Sequence, residues 1–482
     1  MSTIFLMKKI IYTSAILLMN WLASAQNISV IDPIPSKKQV EWQALEYYGF
    51  IHFNMNTFTN LEWGEGQENP LNFNPTNLDC NQWARIAKNA GMKGLILTVK
   101  HHDGFALYPS KYTKHTVAKS KWKNGKGDVV KELSEACKKY GIKLGIYLSP
   151  WDRNHPDYGT EKYNLIYAEM QKELLTNYGP IFEFWYDGAN GEGPNGKKQI
   201  YNWPLFNNTV LKYQPNAIQF SDSGPDIRWV GNERGYAYDQ TWSPINRDEI
   251  YPGFLKFDLY RNGQQNGTHW VAPEVDVSIR PGWYYHAEED LKVKTPDSLM
   301  KIYVASVGRN SNLLLNIPVD RRGLIHPNDS TSMMGFKQLR DKGLVNLLNK
   351  NDQIITSSNH TNKFSTDLTD RNSKTFWAAK NSDKIPMIRI NLQTPKLMNA
   401  VLIQEPIFMG QRIIEFKVKL TEENGSTHEM IGQTIGNKRI ISFKQRSIKN
   451  LEIEFLKSRG QVLISNVELL NLISTRNEPL YQ

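Results

Sequence analysis

The fold is decided by residues 93–149, which begin with the strand-like run KGLILTVK (93–100) and end with KLGIYLS (143–149). Between these runs, apolar residues recur at helical spacing from Val130 to Tyr140, and Gly141 supplies a stop signal for the helix. A strand, a helix and a second strand in this order indicate a βαβ unit, in which the two strands are parallel.

The same alternation continues on both sides of this unit. It favours a (β/α)8-type barrel over an open sheet, and the absence of a G-x-G-x-x-G motif after the first strand argues against dinucleotide binding. Residues 224–290 are rich in loop-forming residues, and we assign no strands there. The further predicted strands are Tyr47–Phe53, Ile181–Tyr186, Ala217–Ser221 and Leu313–Ile317, and the predicted helices are Asn77–Ala90, Tyr163–Tyr178, Leu205–Tyr213 and Ser298–Val307.

The pattern changes after about residue 348. Short β-type runs separated by Asn, Gly, Lys and Thr predict an all-β sandwich over residues 355–475. The expected organisation is therefore a signal peptide (1–25), an α/β barrel domain (35–347) and this sandwich. The predicted runs are Met387–Leu392, Ala400–Gln404, Glu415–Leu420, Ile440–Phe443, Leu451–Phe455 and Gln461–Leu469.

Residues 1–25 have the pattern of a cleaved secretory signal. Two lysines precede the apolar run Ile10–Leu22, and the small residues Ala23–Ala25 form a cleavage site. We therefore expect a secreted or periplasmic protein whose mature chain begins at Gln26. No later segment approaches about 18 uninterrupted apolar residues, so no transmembrane segment is expected.

Cysteine content and charge bear on two further properties, disulfide bonding and nucleic-acid binding. Cys80 and Cys137 each lie on the apolar side of a predicted helix, which predicts buried thiols and leaves open whether they pair. The formal net charge is +10, but the lysines are scattered and no run of five or six basic residues occurs. This distribution is typical of a solvated basic surface, and we expect no nucleic-acid partner.

Polar residues follow the predicted barrel strands, where the loops of such a barrel converge on one mouth. Asp187 comes directly after the Phe184–Tyr186 run and before Gly188, which suits a nucleophile for a sugar's anomeric carbon. An Asp at this position is equally typical of a turn cap.

The His101–Asp103 cluster suits hydrogen bonding to hydroxyl groups better than metal binding, because adjacent strand residues point to opposite faces and no further ligands at useful spacing are visible.

Five motifs occur in an order that resembles the α-L-fucosidases of glycoside hydrolase family 29, over about residues 35–345. The resemblance implies a retaining mechanism without a cofactor, in which Asp187 is the nucleophile. The motifs are His52 with Glu62-Trp63, Lys100–Phe105, Gly145–Tyr147, Phe184–Gly188, and Ser306–Asn310 with Asn312–Asn316. The residues that it implies for holding fucose are His52, Glu62, Trp63, His101, His102 and Tyr147.

The acid/base residue is a separate prediction, because branches of this family place it differently. The segment Arg228–Glu233 resembles the branch specific for α-1,3/1,4-linked fucose, which makes Glu233 the candidate. Glu274 and Asp276 are its competitors, and the alternative for Glu233 itself is an ordinary surface loop residue.

The C-terminal region resembles the discoidin or coagulation-factor type C sandwich, a group that includes carbohydrate-binding modules. A packing role is equally compatible with these motifs, and the sequence offers no clear calcium site. The motifs are Leu368–Asp370, Thr375–Ala378 and Gln411–Ile413 before Phe416.

The sequence therefore predicts an exo-acting α-L-fucosidase that acts on fucosylated oligosaccharides or glycoconjugates. A retaining glycosidase for another sugar and a catalytically silent glycan-binding protein are the alternatives. Since the candidate site residues all precede residue 348, activity on a small substrate is expected to survive removal of the sandwich if the barrel folds alone. The sequence specifies neither the natural glycan nor the oligomeric state.

Overall fold

The computed structural model describes residues 28–253, 257–361, 363 and 365–481. The predicted signal peptide, residues 1–25, lies outside the described residues. None of the helices in these ranges is long and apolar enough to cross a membrane.

The first half of the described chain forms a closed barrel of eight parallel strands. Its spatial order is first strand, tenth, ninth, sixth, fifth, fourth, third, second, while the seventh and eighth strands form a separate hairpin. The predicted barrel is therefore confirmed. These ten strands are β1 (Tyr47–His52), β2 (Gly94–Lys100), β3 (Lys143–Leu148), β4 (Ile181–Trp185), β5 (Ile218–Ser221), β6 (Ile227–Trp229), β7 (Pro244–Ile245), β8 (His269–Trp270), β9 (Ala272–Ser278) and β10 (Asn312–Pro318).

Helices follow most of the barrel strands and begin and end at residues with suitable cap chemistry. Asp128 caps the helix after β2 through the backbone N–H of Lys131, and Gly141 ends that helix with a φ of 66°. The barrel departs from a regular (β/α)8 pattern between β5 and β6, since residues 222–226 connect these strands without a helix. The helices are α1 (Lys37–Gln43), α2 (Met55–Thr59), α3 (Cys80–Asn89), α4 (Val129–Tyr140), α5 (Glu161–Asn177), α6 (Trp203–Tyr213), α7 (Phe257–Asn262), α8 (Pro296–Ser306) and α9 (Pro327–Gly343).

The second half is all-β, as predicted. One antiparallel sheet has the order β11-β13-β16-β14-β15 with β18 also paired to β13, and β12 pairs with β17 in a small second sheet. We refer to this part as the β-region. Its strands are β11 (Gln353–Thr356), β12 (Trp377–Ala378), β13 (Met387–Gln404), β14 (Ile413–Glu422), β15 (Thr427–Gln433), β16 (Arg439–Ser458), β17 (Leu463–Ile464) and β18 (Asn466–Leu470).

Two strands of the β-region are longer than the sequence pattern indicated. The pattern predicts two separate runs in each of β13 and β16, whereas each is one continuous strand. Their pairing changes register between Asn391 and Lys396 and again between Met398 and Ala400. The polar residues at these irregularities read as loops in the sequence because a bulge interrupts the alternation of apolar and polar positions.

The barrel and the β-region share a hydrophobic core. Apolar residues of the β-region, among them Leu402, Ile440 and Leu470, belong to the same buried cluster as barrel residues such as Val304. The barrel and the β-region are therefore packed together through buried apolar surface.

Both cysteines lie in this barrel core. Cys80 and Cys137 are buried and free, so no disulfide joins them. Burial raises the pKa of the Cys137 thiol to about 12, which keeps it protonated and unreactive at neutral pH.

Candidate active site

Asp187 lies two residues beyond the end of β4, at the barrel mouth. Its Oδ1 accepts a hydrogen bond from the Ala189 backbone N–H at 2.8 Å, and its Oδ2 accepts one from the Tyr147 hydroxyl at 2.9 Å. His102 Nε2 lies 3.6 Å from the same Oδ2, and the Asp187 side chain is 25% exposed. Asp187 therefore caps the turn that contains Gly188, and its side chain is still partly open to solvent.

Three histidines and a tyrosine surround this carboxylate at the ends of β1, β2 and β3. Ring centroids lie 5.9 Å apart for His52 and His101, 4.1 Å for His101 and His102, and 5.7 Å for His101 and Tyr147. Burial lowers the pKa of His52 to about 3 and that of His102 to about 4. At neutral pH these imidazoles are uncharged, so each ring has one donor and one acceptor nitrogen.

Trp63 covers one side of this group. Its ring is 57% exposed and meets His102 and Trp151 edge-on, with centroid distances of 5.4 and 5.5 Å. An exposed indole above buried polar groups gives the mouth an apolar wall that a sugar face can contact.

Glu62 anchors the loop that follows β9. Its carboxylate accepts hydrogen bonds from the backbone N–H of Trp283 at 2.9 Å and of Tyr284 at 3.3 Å, and it contacts His286 Nε2 at 2.7 Å. A side chain at Gly282 would place its Cβ 2.5 Å from Glu62 Oε1, which explains the glycine there. The structure thus gives Glu62 a positioning role, and its predicted contact with fucose remains a prediction.

Glu233 lies on the loop after β6, with an exposed side chain at the rim. Its Oε2 accepts a hydrogen bond of 3.3 Å from the Trp283 indole N–H. Although the residue as a whole is exposed, desolvation of its carboxylate by neighbouring groups is the main cause that raises the pKa of Glu233 above its usual range, with smaller raising contributions from the charges of Asp187 and Glu62. The Trp283 ring in turn packs 5.3 Å from that of His52.

The competing acids lie deeper. Glu274 is fully buried in the barrel, where it accepts hydrogen bonds from the Tyr48 hydroxyl and, at 2.9 Å, from the Trp185 indole. Asp276 is 4% exposed and accepts a hydrogen bond of 2.9 Å from Trp229. Neither side chain is open to solvent as that of Glu233 is.

All the predicted site residues belong to one network of contacts. The structure also adds residues that are not among the predicted ones. Asp222, Trp283 and His286 lie in loops whose course the sequence pattern does not reveal, whereas Ser149 ends the predicted strand 143–149 and Asn316 lies in β10. Asp222 follows β5 beside Gly188, and burial is the main cause that raises the pKa of its carboxyl to about 7. In the sequence Trp283 is only one aromatic residue among many, because the pattern in residues 224–290 does not reveal β9, the strand that it follows. The added residues are Ser149, Asp222, Trp283, His286 and Asn316.

A groove of about 810 Å³ lies at the other end of the barrel, where β3, β4 and β5 begin. Its lining residues include Lys143, Ile181 and Ile218. None of the predicted site residues contributes to it, which separates this groove from the chemistry at the mouth.

Comparison with known proteins gives the family. A sequence model described as alpha-L-fucosidase matches residues 20–338 of this chain. The chain belongs to the α-L-fucosidase family. It is accordingly a glycoside hydrolase. Alpha-L-fucosidase 1 of Arabidopsis thaliana is 40% identical over 448 residues, which cover 91% of this chain and 87% of that protein.

Solved structures of family members have the same architecture. A glycoside hydrolase 29 family member from an unknown rumen bacterium is 37% identical with a TM-score of 0.82, covering 92% of this chain and 78% of that one. A Ruminococcus gnavus glycoside hydrolase 29 fucosidase in complex with fucose is 29% identical with a TM-score of 0.86, covering 93% and 97%. The family resemblance therefore extends beyond the barrel into the β-region.

Proposed function

We propose that this family member is a retaining exo-α-L-fucosidase in which Asp187 is the nucleophile and Glu233 the acid/base residue. The observation that carries the proposal is the pair of carboxylates at the barrel mouth, each held by a donor but in different surroundings. Asp187 accepts hydrogen bonds from the Tyr147 hydroxyl and from a backbone N–H. Glu233 lies at the rim and accepts one from the Trp283 indole N–H.

Asp187 has the features of a nucleophile. Two donors fix the orientation of its carboxylate, and its side chain stays 25% exposed at the mouth. In a retaining reaction a carboxylate oxygen attacks the anomeric carbon as the glycosidic bond breaks, which forms a covalent fucosyl-enzyme.

Glu233 has the features of a general acid. Its raised pKa keeps the carboxyl protonated to a higher pH than an ordinary glutamic acid, so it can protonate the leaving sugar oxygen. Once the leaving group has gone, the carboxylate activates the water that hydrolyses the fucosyl-enzyme.

The predicted binding residues line the space beside Asp187. The neutral imidazoles of His52, His101 and His102 offer donors and acceptors for sugar hydroxyl groups, and Trp63 offers an apolar face for the deoxy sugar. Polar rings beside one exposed indole suit a terminal deoxy sugar such as fucose.

The finer substrate assignment follows from the Arg228–Glu233 motif. We propose that terminal α-1,3- and α-1,4-linked fucose on oligosaccharides or glycoconjugates is the substrate and that the enzyme is exported, as its N-terminal sequence predicts. For the β-region we favour a packing role, because it shares a core with the barrel. Comparing hydrolysis of α-1,2-, α-1,3- and α-1,4-fucosylated oligosaccharides tests the linkage, with aryl glycosides of other sugars as the control for fucose specificity.

A Glu233→Ala variant tests the acid/base assignment. It should lose about 100-fold or more in kcat/KM on fucosylated oligosaccharides but far less on nitrophenyl fucoside, because a nitrophenolate departs without a proton. Azide should restore turnover of the aryl substrate by replacing activated water. Equal losses on both substrates without azide rescue would assign Glu233 to binding only, and Glu274→Ala and Asp276→Ala variants would then be compared in the same way.

A further inference from the structure

A buried polar cluster lies directly behind the histidines of the site. His101 packs against Tyr147, whereas Asp103, two residues later, lies beside Glu68 and His115. One nitrogen or oxygen atom from each of these three side chains lies within 4.8 Å of the other two. Sequence spacing does not reveal this set, because the three residues come from separate loop positions that only the fold brings together.

Several acceptor atoms of this cluster lack partners. Asp103 is fully buried and His115 is 4% exposed. Among the described residues, both carboxylate oxygens of Asp103 and Nε2 of His115 have no hydrogen-bond partner of normal geometry. The backbone N–H of Phe105 lies near enough to the Asp103 carboxyl to lower its pKa, but it does not form a hydrogen bond of normal geometry. Buried acceptors without donors are costly, so such a group calls for a ligand or a proton.

The local charges point to a cation. The buried Lys100 ammonium is engaged elsewhere, donating to Asp152 Oδ2 at 3.1 Å and to the Tyr163 hydroxyl at 3.3 Å. Glu68 accepts backbone hydrogen bonds from the N–H of Glu65 and, at 2.8 Å, from that of Gly66, but no cation among the described residues pairs with it. Glu68 and Asp103 thus bring two carboxylates together while the nearby lysine is already paired with a third, which leaves excess negative charge to offset.

The backbone also comes close to this cluster at Gly64. A Cβ built on Gly64 would lie 2.7 Å from Glu68 Oε1, from Asp103 Cβ and from Asn56 Oδ1. Asn56 Oδ1 is likewise buried without a hydrogen-bond partner in the described residues. Only glycine therefore fits here, where the backbone comes close to the side chains of Glu68, Asp103 and Asn56 at the same time.

We propose that Glu68, Asp103 and His115 bind a divalent cation of the Zn²⁺ or Mn²⁺ class, with Asn56 Oδ1 or water completing the shell. An imidazole together with carboxylates favours these ions over Ca²⁺ and Mg²⁺, which prefer oxygen ligands alone. Bonds of about 2.0–2.2 Å place tetrahedral ligand atoms roughly 3.3–3.6 Å apart, so binding requires the three side chains to move together by up to about 1.5 Å. The cation would be structural, tying the loop after β1 to the loop that carries His101 and His102.

The competing explanation is a proton on Asp103 that is shared with Glu68. The two explanations differ in their response to Asp103→Asn. A neutral amide of the same shape mimics a protonated acid, whereas it removes the charge that a cation needs.

The test uses the full-length enzyme, dialysed against a chelator and then supplied with ZnCl₂ or MnCl₂. Bound metal is measured by mass spectrometry and Tm by differential scanning fluorimetry. Asp103→Asn and His115→Leu are the test variants, and Glu65→Gln, an exposed acid on the same loop, is the matched control.

We expect about one tightly bound cation per chain and a higher Tm on metal addition for the wild type and Glu65→Gln, and neither effect for the test variants. If one test variant does not fold, the other provides the comparison. The proposal is overturned if the wild type retains no cation and its Tm is unmoved by metal, or if Asp103→Asn is stabilised by metal as strongly as the wild type.

Discussion

At the scale of single residues, the two carboxylates of the mouth differ because their surroundings differ. Asp187 is held by a phenol and a backbone amide, while Glu233 accepts one indole N–H and interacts with the charges of Asp187 and Glu62. Two acids in different surroundings are what a retaining glycosidase needs for one nucleophile and one proton donor.

The indole of Trp283 tests this difference through the pH profile. Its N–H stabilises the ionised form of Glu233 and so lowers the pKa of that carboxyl. Removing the donor in Trp283→Phe should raise the pKa of Glu233, so the acid stays protonated to higher pH. The alkaline limb of the kcat/KM profile should therefore shift to higher pH. The measurement is a pH–rate profile on a fucosylated oligosaccharide. An alkaline limb that stays in place would mean that Glu233 is not the acid.

Among the candidate site residues, those that end barrel strands are the ones whose positions the sequence predicts best. His52, His101, Tyr147 and Asp187 are positioned by the strand direction itself, which a run of apolar residues makes visible. Trp283 and Asp222 could not be selected in the same way, because their positions depend on how loops fold back over the mouth. Glu62 was found only through the family resemblance, and its bonds to the loop after β9 were not foreseeable.

At the scale of elements, the segment after Glu233 rests on the β-region. Gln411 accepts from the Ser243 backbone N–H at 2.8 Å and donates to the Thr241 carbonyl at 2.9 Å. Thr434 Oγ1 accepts from the Thr241 N–H at 2.9 Å, and Arg439 donates to the Asp239 carbonyl at 2.9 Å. The β-region thereby fixes the path of the loop that leads away from the proposed acid.

Replacing Gln411 should therefore affect both stability and catalysis. Gln411→Ala leaves the buried backbone N–H of Ser243 without its partner, whereas the Thr241 carbonyl keeps a hydrogen bond from Asn310. The expected cost is about 1–3 kcal/mol in the free energy of unfolding. It should also lower kcat/KM on oligosaccharides more than on nitrophenyl fucoside, because it disturbs the segment that follows Glu233. Gln445→Ala, which removes a hydrogen bond to Asn471 within the β-region, is the control. It should leave kcat/KM unchanged on both substrates. Unchanged kinetics in Gln411→Ala would show that this anchoring does not reach the site.

The element boundaries also show what patterns can predict. The bounds of α4 and β3 follow closely from apolar spacing and from Gly141, since local sequence determines both. The helix α9 and the strand β15 were missed, because α9 has only a weak apolar stripe and β15 is exposed at the sheet edge. Such elements depend on neighbours distant in sequence.

At the scale of the whole molecule, the shared core changes the expectation for a shortened chain. The position of the site residues alone suggested that a barrel without the β-region would stay active. Ending the chain at residue 347 removes Leu402, Ile440 and Leu470 from the barrel core and exposes the apolar surface they cover. We therefore predict that the shortened chain is insoluble or unfolds at a clearly lower Tm, and that the full-length enzyme unfolds in a single calorimetric transition. A soluble shortened chain with full activity and unchanged Tm would contradict this prediction.

The central claim is that Asp187 forms the covalent bond to fucose, and trapping that bond tests it most directly. A fluorinated fucosyl fluoride, which reacts quickly but is released slowly, should add one fucosyl group to the enzyme, and peptide mass spectrometry should locate it on Asp187. The Asp187→Asn variant should remain unlabelled and lose about 1000-fold or more in kcat. A label on any other residue, or near wild-type turnover in Asp187→Asn, would contradict the account.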